Sequence, residues 1–123
     1  MTYCTTDELI AATGSALNAT TVLTPIITAA DREIDAYLAP HNLGAGDSIG
    51  ACKEASLHLS TAGIYTRMQL DGTQPESITA AEIDRAIARH RAAAFRLLDL
   101  YIADQVSTSG SNMAYVRRVD GRW

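Results

Sequence analysis

The chain has 123 residues, of which 47% are apolar and 20% are charged, and its formal net charge is −4. This length suits a single domain with a modest core, and the composition is that of an ordinary globular protein. The acidic balance argues against nonspecific binding of nucleic acid by the whole body.

Cysteine content and hydropathy exclude two further classes of protein. The two cysteines, Cys4 and Cys52, are too few to make a disulfide scaffold, and both are expected to be reduced. Cys4 is expected to lie in a mobile N-terminus, and Cys52 is expected to lie inside a helix. No apolar run approaches the ~20 residues that cross a bilayer. No basic segment followed by an apolar stretch marks a secretory signal, so we expect synthesis inside the cell and no membrane partner.

The first two predicted helices occupy the N-terminal third of the chain. Helix one is short, is capped by Thr5 or Thr6 and ends at Gly14. Residues 15–23 are predicted to form a connector. Helix two is predicted to begin with Thr24 as its N-cap and Pro25 as its first residue.

Helix two has one apolar and one charged face. Its apolar positions repeat at three- and four-residue steps, which predicts a buried stripe. Asp31, Glu33 and Asp35 are predicted to lie on a solvated face, and Pro40 ends the helix. The predicted stripe comprises Ile26 or Ile27, Ala30, Ile34, Tyr37 and Leu38.

Helix three is predicted to be apolar on two sides. It opens at about Ser48, after a loop over residues 40–48 with Asp47 or Ser48 as a cap, and closes at Asp71-Gly72. A helix of this kind is either central in its fold or shared with a neighbouring subunit. One stripe comprises Cys52, Ala55, Leu59 and Ala62, and the other comprises Leu57, Ile64 and Met68.

Helix four is predicted to be long for so small a domain. Thr79 and Glu82 form a capping box at its start, and the helix extends to about Val106. Its core stripe is Ile83, Ile87, Ala94, Leu98 and Tyr101. Part of it is expected to pack outside the monomer core. The residues predicted to contact a neighbouring subunit are Leu57, Ile64, Met68, Phe95 and Ile102.

The sequence offers no convergent catalytic or metal-binding motif. His41, His58 and His90 lie on a predicted loop and on two different helices. Only Glu54 stands one helical turn from one of them, His58, and such a pair is more typical of a helix surface than of a metal site. We therefore expect no enzymatic activity, no cofactor and no bound metal.

A basic face on helix four provides the main alternative. Arg85, Arg89 and Arg96 share this face and can touch DNA phosphates, although Asp84 and Asp99 interrupt it. No aromatic interleaving or short recognition helix accompanies them. A solvated face, or salt bridges to an acidic neighbour, is the expected use. DNA binding by a packaging accessory module is the alternative.

The composition changes after residue 106, which divides the chain into a helical domain over residues 1–106 and a linker and tail over residues 107–123. The tail is either a disordered, slightly basic segment or one that orders on a partner, for example as a strand at a sheet edge. We favour docking, because tyrosine and arginine are enriched in interfaces. The residues predicted to dock are Met113, Tyr115, Val116, Arg117, Arg118 and Trp123.

The order of these elements resembles the head–tail adaptor proteins of tailed phages, also called connector or head-completion proteins. The matching features are Tyr3 followed by Asp7-Glu8-Leu9, the Leu23-Thr24-Pro25 start, the Ala-Ala-Asp-Arg-Glu-Ile-Asp-Ala-Tyr-Leu segment at 29–38, and Ala51-Cys52 after a glycine-bearing loop. The resemblance covers roughly residues 1–106.

The helical periodicity predicts an all-α fold with a long C-terminal helix and an extended C-terminal tail, and the resemblance implies a small bundle of about four helices. The resemblance also implies a virion protein at the head–tail junction, in a ring usually of twelve copies beneath the portal. The implied partners are the portal protein, neighbouring copies, a neck or tail-completion protein, and DNA that passes through the channel without sequence-specific binding. An acidic body suits the wall of such a channel.

Overall fold

The computed structural model describes residues 3–13, 20–41, 43, 50–72 and 78–113, and at 20–22 and 106–113 it describes the backbone alone. The elements in chain order are α1 (Thr6–Thr13), α2 (Thr20–Leu38), a 3₁₀ turn (Ala39–His41), α3 (Ala51–Asp71) and α4 (Ala80–Met113). No strand occurs within these ranges. The predicted all-α fold of four helices with a long C-terminal helix is therefore confirmed.

Reciprocal capping boxes begin α1 and α4; the sequence predicts the box at α4, whereas for α1 it predicts only a cap at Thr5 or Thr6. The Glu8 N–H donates to the Thr5 hydroxyl over 3.1 Å, and the Thr5 N–H donates to the Glu8 carboxylate over 2.9 Å. At α4 the Glu82 N–H donates to the Thr79 hydroxyl over 3.1 Å, and the Thr79 N–H donates to the Glu82 carboxylate over 2.8 Å. Each box satisfies backbone donors that have no partner within the first turn of a helix.

The predicted start of α2 is wrong. The helix begins at Thr20, so residues 20–23 belong to it rather than to a connector, and Pro25 lies inside it. A proline inside a helix removes one backbone hydrogen bond. Leu23, which is fully buried, offsets this cost by placing a large apolar side chain in the core.

The boundaries of α3 and α4 also differ from the predictions. α3 begins at Ala51 rather than at about Ser48, after Gly50 at φ 77°, and Gly72 ends it in the left-handed conformation. α4 continues to Met113 instead of ending at about Val106. Because each residue added to an existing helix gains a backbone hydrogen bond, a short serine- and glycine-rich stretch can extend it. Gly14, Asp47 and Ser48 lie outside the described residues.

α3 occupies the centre of the bundle and packs against α4, α2 and α1. Both of its apolar sides therefore pack against other helices of the same chain. The predicted stripe on the first side is confirmed, because all four of its residues are buried. The cluster on that side consists of Tyr3, Ala30, Ile34, Leu38, Cys52, Ala55, Leu59, Ala94, Leu98 and Ile102.

A second, smaller core lies on the other side of α3. Ile64 is buried there, and Leu57 and Met68 pack against it while partly exposed. The buried members of this cluster are Cys4, Leu9, Leu23, Ile27 and Ile64. Cys4 is only 2% exposed, so its predicted place in a mobile N-terminus is wrong. The segment before α1 contributes its side chain to this core.

Candidate functional site: the groove beside α3 and α4

Two histidines that are far apart in the sequence meet at the contact between α3 and α4. The Nδ1 atoms of His58 and His90 lie 3.0 Å apart, and the centroids of their rings lie 5.2 Å apart. The Tyr65 ring stacks on the His90 ring with centroids 6.2 Å apart. The packing of the two helices thus brings the Nδ1 atoms of both imidazoles together, with the ring planes tilted by 35°.

The histidine pair lies on the wall of a groove of about 280 Å³. Leu57, Ile64 and Met68, which form the second apolar stripe of α3, line this groove, and the C-terminal end of α1 lies against it. Glu54, one helical turn before His58, also lines it. The groove therefore combines an apolar surface with two imidazoles and a carboxylate.

The environment of His90 favours its neutral form. Burial lowers the pKa of His90, and the neighbouring charges of His58 and Arg89 lower it further. A neutral imidazole can accept a hydrogen bond or bind a metal ion through its unprotonated nitrogen. No group of three or more His, Cys, Asp or Glu side chains able to hold a metal occurs in the part of the chain that the structure describes.

Sequence reasoning did not find the histidine pair. It placed His58 beside Glu54 at helical spacing but had no signal that joined His58 to His90. That contact depends on the register between two helices whose facing residues are 32 positions apart. His41, by contrast, is exposed at the end of the 3₁₀ turn.

The predicted solvated face of α2 is wrong for one of its three carboxylates. Asp31 is 5% exposed and accepts hydrogen bonds from the Ser56 hydroxyl at 2.8 Å and from the Tyr3 N–H at 3.3 Å. Burial raises the pKa of Asp31. Asp35 accepts a hydrogen bond from the Tyr3 hydroxyl, and Glu33 forms an ion pair with Arg91.

The arginines of the basic face of α4 are exposed, whereas a nearby arginine is used within the bundle. Arg85, Arg89 and Arg96 are exposed, as a surface for a charged partner requires. Arg91 instead forms the ion pair with Glu33 and lies 5.4 Å from the centroid of the Phe95 ring. All three arginines of the predicted basic face are therefore available to a charged partner.

The five predicted subunit-contact residues lie on or beside the two cores. Ile64 and Ile102 are buried within the chain, and Leu57 and Met68 are partly covered. Phe95 packs against Tyr37, with ring centroids 5.0 Å apart. A role for these residues between subunits stays a prediction that rests on their exposed parts.

Of the predicted docking residues, Met113 is the last residue of α4. The other five, Tyr115, Val116, Arg117, Arg118 and Trp123, lie outside the described residues, so their role stays a prediction. The described helices include none that is both long and apolar enough to cross a membrane.

Comparisons with known proteins do not assign the chain to a family. No protein-family model, curated protein or solved structure matches it.

Proposed function

We propose that this chain is a structural head–tail adaptor of a tailed phage or phage-like particle. In this role it forms a ring under the portal, extends the DNA channel and provides a docking surface for the neck or tail. The sequence resemblance described above motivates the proposal. Its physical support comes from the shape of the helical bundle, and one feature of α4 carries it.

That feature is the length of α4 beyond its core contacts. The helix has 34 residues, which corresponds to about 50 Å. Its last buried residue among the described side chains is Ile102, and the backbone continues as a helix to Met113, about 16 Å further. We infer that this last part of α4 provides a surface for another chain.

The remaining surface is compatible with ring assembly. A head-to-tail contact joins two different surfaces of the same molecule and forms a ring when the rotation closes. The exposed arginines of α4 and exposed carboxylates on other helices, such as Asp7 and Glu54, offer groups of opposite charge for such a contact. The proposed role needs no catalytic group, only such surfaces and an exit channel for DNA.

The proposal is tested by mixing the chain with the portal protein encoded by the same particle. Light scattering should show a complex whose mass exceeds the portal ring by a multiple of 13.1 kDa. End-on electron microscopy should show a second ring stacked on the portal. A variant truncated after Val106 serves as the matched control and should keep the fold but lose the complex.

A chain that stays monomeric and ignores the portal would contradict the adaptor role. The alternative, a DNA-binding packaging accessory, rests on the exposure of Arg85, Arg89 and Arg96. It predicts salt-sensitive DNA binding that is lost when all three become alanine. The adaptor role predicts no such loss, so the same triple variant separates the two functions.

A further inference from the structure

The histidine pair in the groove has the geometry of a bidentate metal site. We propose that His58 and His90 together bind one first-row transition-metal ion, of the Zn²⁺, Co²⁺, Ni²⁺ or Cu²⁺ type, and that the ion joins α3 to α4. The proposal rests on the positions of two side chains in the groove. It does not depend on the adaptor function.

The distance between the two nitrogens carries the argument. An imidazole nitrogen binds Zn²⁺ at about 2.0–2.1 Å, so two such ligands on one ion lie roughly 2.8–3.4 Å apart when the angle at the metal is between about 90° and the tetrahedral angle. The Nδ1 atoms of His58 and His90 lie 3.0 Å apart. Small rotations of the two rings direct both lone pairs at one point in the groove.

Without a metal ion the two imidazoles are joined by a hydrogen bond, and the ion would take the place of this bond. In that state one Nδ1 carries a proton and donates it to the other Nδ1. On metal binding both Nδ1 atoms become ligands, and the proton of the former donor moves to its own Nε2. Two neutral rings thus bind the ion with no net loss of protons.

The groove provides space for the other ligands. Glu54 lines the same groove one turn before His58, so its carboxylate can approach the ion or orient a bound water. Because the described residues supply no cluster of three ligands, water completes the coordination. Imidazole ligands favour Zn²⁺, Ni²⁺ and Cu²⁺ over Mg²⁺ and Ca²⁺, which prefer oxygen.

The test is a titration of the full chain with Zn²⁺ at pH 7.5, followed by calorimetry and thermal unfolding. We expect saturable binding of one ion per chain, a higher unfolding temperature, and reversal by a chelator. His58→Gln and His90→Gln should each weaken binding at least tenfold. His41→Gln, which changes an exposed histidine, and Mg²⁺ in place of Zn²⁺ serve as the matched controls.

A measurement on the unmutated chain removes any dependence on the folding of the variants. Paramagnetic Co²⁺ should shift the ring proton signals of His58 and His90 in NMR spectra and leave those of His41 in place. No Zn²⁺ binding up to millimolar concentration would overturn the proposal. Co²⁺ shifts confined to His41 would also overturn it. A thiolate-to-Co²⁺ absorption band would overturn it as well, because both cysteines lie outside the groove.

Discussion

Asp31 illustrates at the scale of single residues how polar groups hold the N-terminal segment on the bundle. Its carboxylate accepts hydrogen bonds from the Tyr3 N–H and from the Ser56 hydroxyl, and the Ser56 hydroxyl also lies 3.3 Å from the Cys4 Sγ. A buried carboxylate is costly unless such donors satisfy it. These contacts therefore explain why residues 3 and 4 are buried although they precede the first helix.

Ser56 and Ser60 form a matched pair for testing this network. Both are fully buried and stand one turn apart on α3, but the Ser60 hydroxyl has no hydrogen-bond partner among the described residues. Ser56→Ala should lower the free energy of unfolding by about 1–3 kcal/mol, because Asp31 loses a donor. Ser60→Ala should raise it by about 1 kcal/mol, because a buried unpaired hydroxyl is removed. Urea unfolding of both variants measures the difference, and equal effects would contradict this account.

The raised pKa of Asp31 also predicts how the free energy of unfolding changes with pH. Because burial raises its pKa above the ordinary value of 3.8, the folded chain holds this proton more tightly than the unfolded chain does. The stabilisation from Asp31 is therefore present at low pH and is lost as pH rises through the folded pKa. Asp31→Asn keeps a carbonyl acceptor and removes this titration.

The comparison is made by urea unfolding of the wild type and Asp31→Asn between pH 4 and pH 7. The stability of Asp31→Asn relative to the wild type should increase as pH rises. Ser60→Ala, which changes a buried side chain that does not titrate, is the control and should show no such trend. A difference that stays constant with pH, or that falls, would contradict a raised pKa.

At the scale of elements, α2 and α3 approach closely at Gly63. A Cβ atom at this position would lie 2.7 Å from the Cγ2 of Ile26, which is too short for carbon atoms in contact. Ile26 is branched at Cβ and has few alternative rotamers. A glycine inside α3 thus costs helix propensity but allows the two helices to pack at this distance.

A double-mutant cycle separates these two effects of Gly63. Gly63→Ala alone should lower the free energy of unfolding by about 1 kcal/mol, because overpacking outweighs the gain in propensity. With Ile26→Ala also present, the same change should raise it by about 1 kcal/mol, because only the propensity gain remains. A coupling energy near zero in urea unfolding would show that α2 and α3 do not touch at this point.

At the scale of the whole molecule, α3 is the element around which the others are arranged. α4 packs along one side of it, and the second core with α1 and part of α2 lies on another. Side-chain contacts also join α2 to α4, where Tyr37 donates a hydrogen bond to Asp99 and Arg91 forms an ion pair with Glu33. Among the described side chains, the last one of α4 that is buried in the bundle is Ile102.

Truncation of α4 measures how much its C-terminal end contributes to the stability of the bundle. Deleting residues 107–123 should change the free energy of unfolding by less than about 0.5 kcal/mol, because Ile102 is the last buried residue among the described side chains. Ile102→Ala should cost about 2 kcal/mol or more, because it opens a cavity in the larger core. A truncated chain as unstable as Ile102→Ala would mean that the end of α4 belongs to the core.

The sequence by itself determined the fold class, the number of helices and several of their ends. Thr79 caps α4 together with Glu82 within one helical turn, so this role follows from spacing alone, and the cap of α1 was narrowed to Thr5 or Thr6 in the same way. The apolar stripe of α3 likewise follows from a 3.6-residue period. The ends of α2 and α4 did not follow, because the packing of Leu23 and the extension of an existing helix outweighed the local signals at Pro25 and after Val106.

Only the tertiary structure decided which residues meet across helices. The contact between His58 and His90, the burial of Asp31 and the approach of Ile26 to Gly63 each join residues between 25 and 37 positions apart. Local propensity carries no information about such pairs, because they depend on the rotation and axial register that two helices adopt when their apolar faces pack. The candidate metal site in the groove exists only because that register places two imidazoles on facing turns.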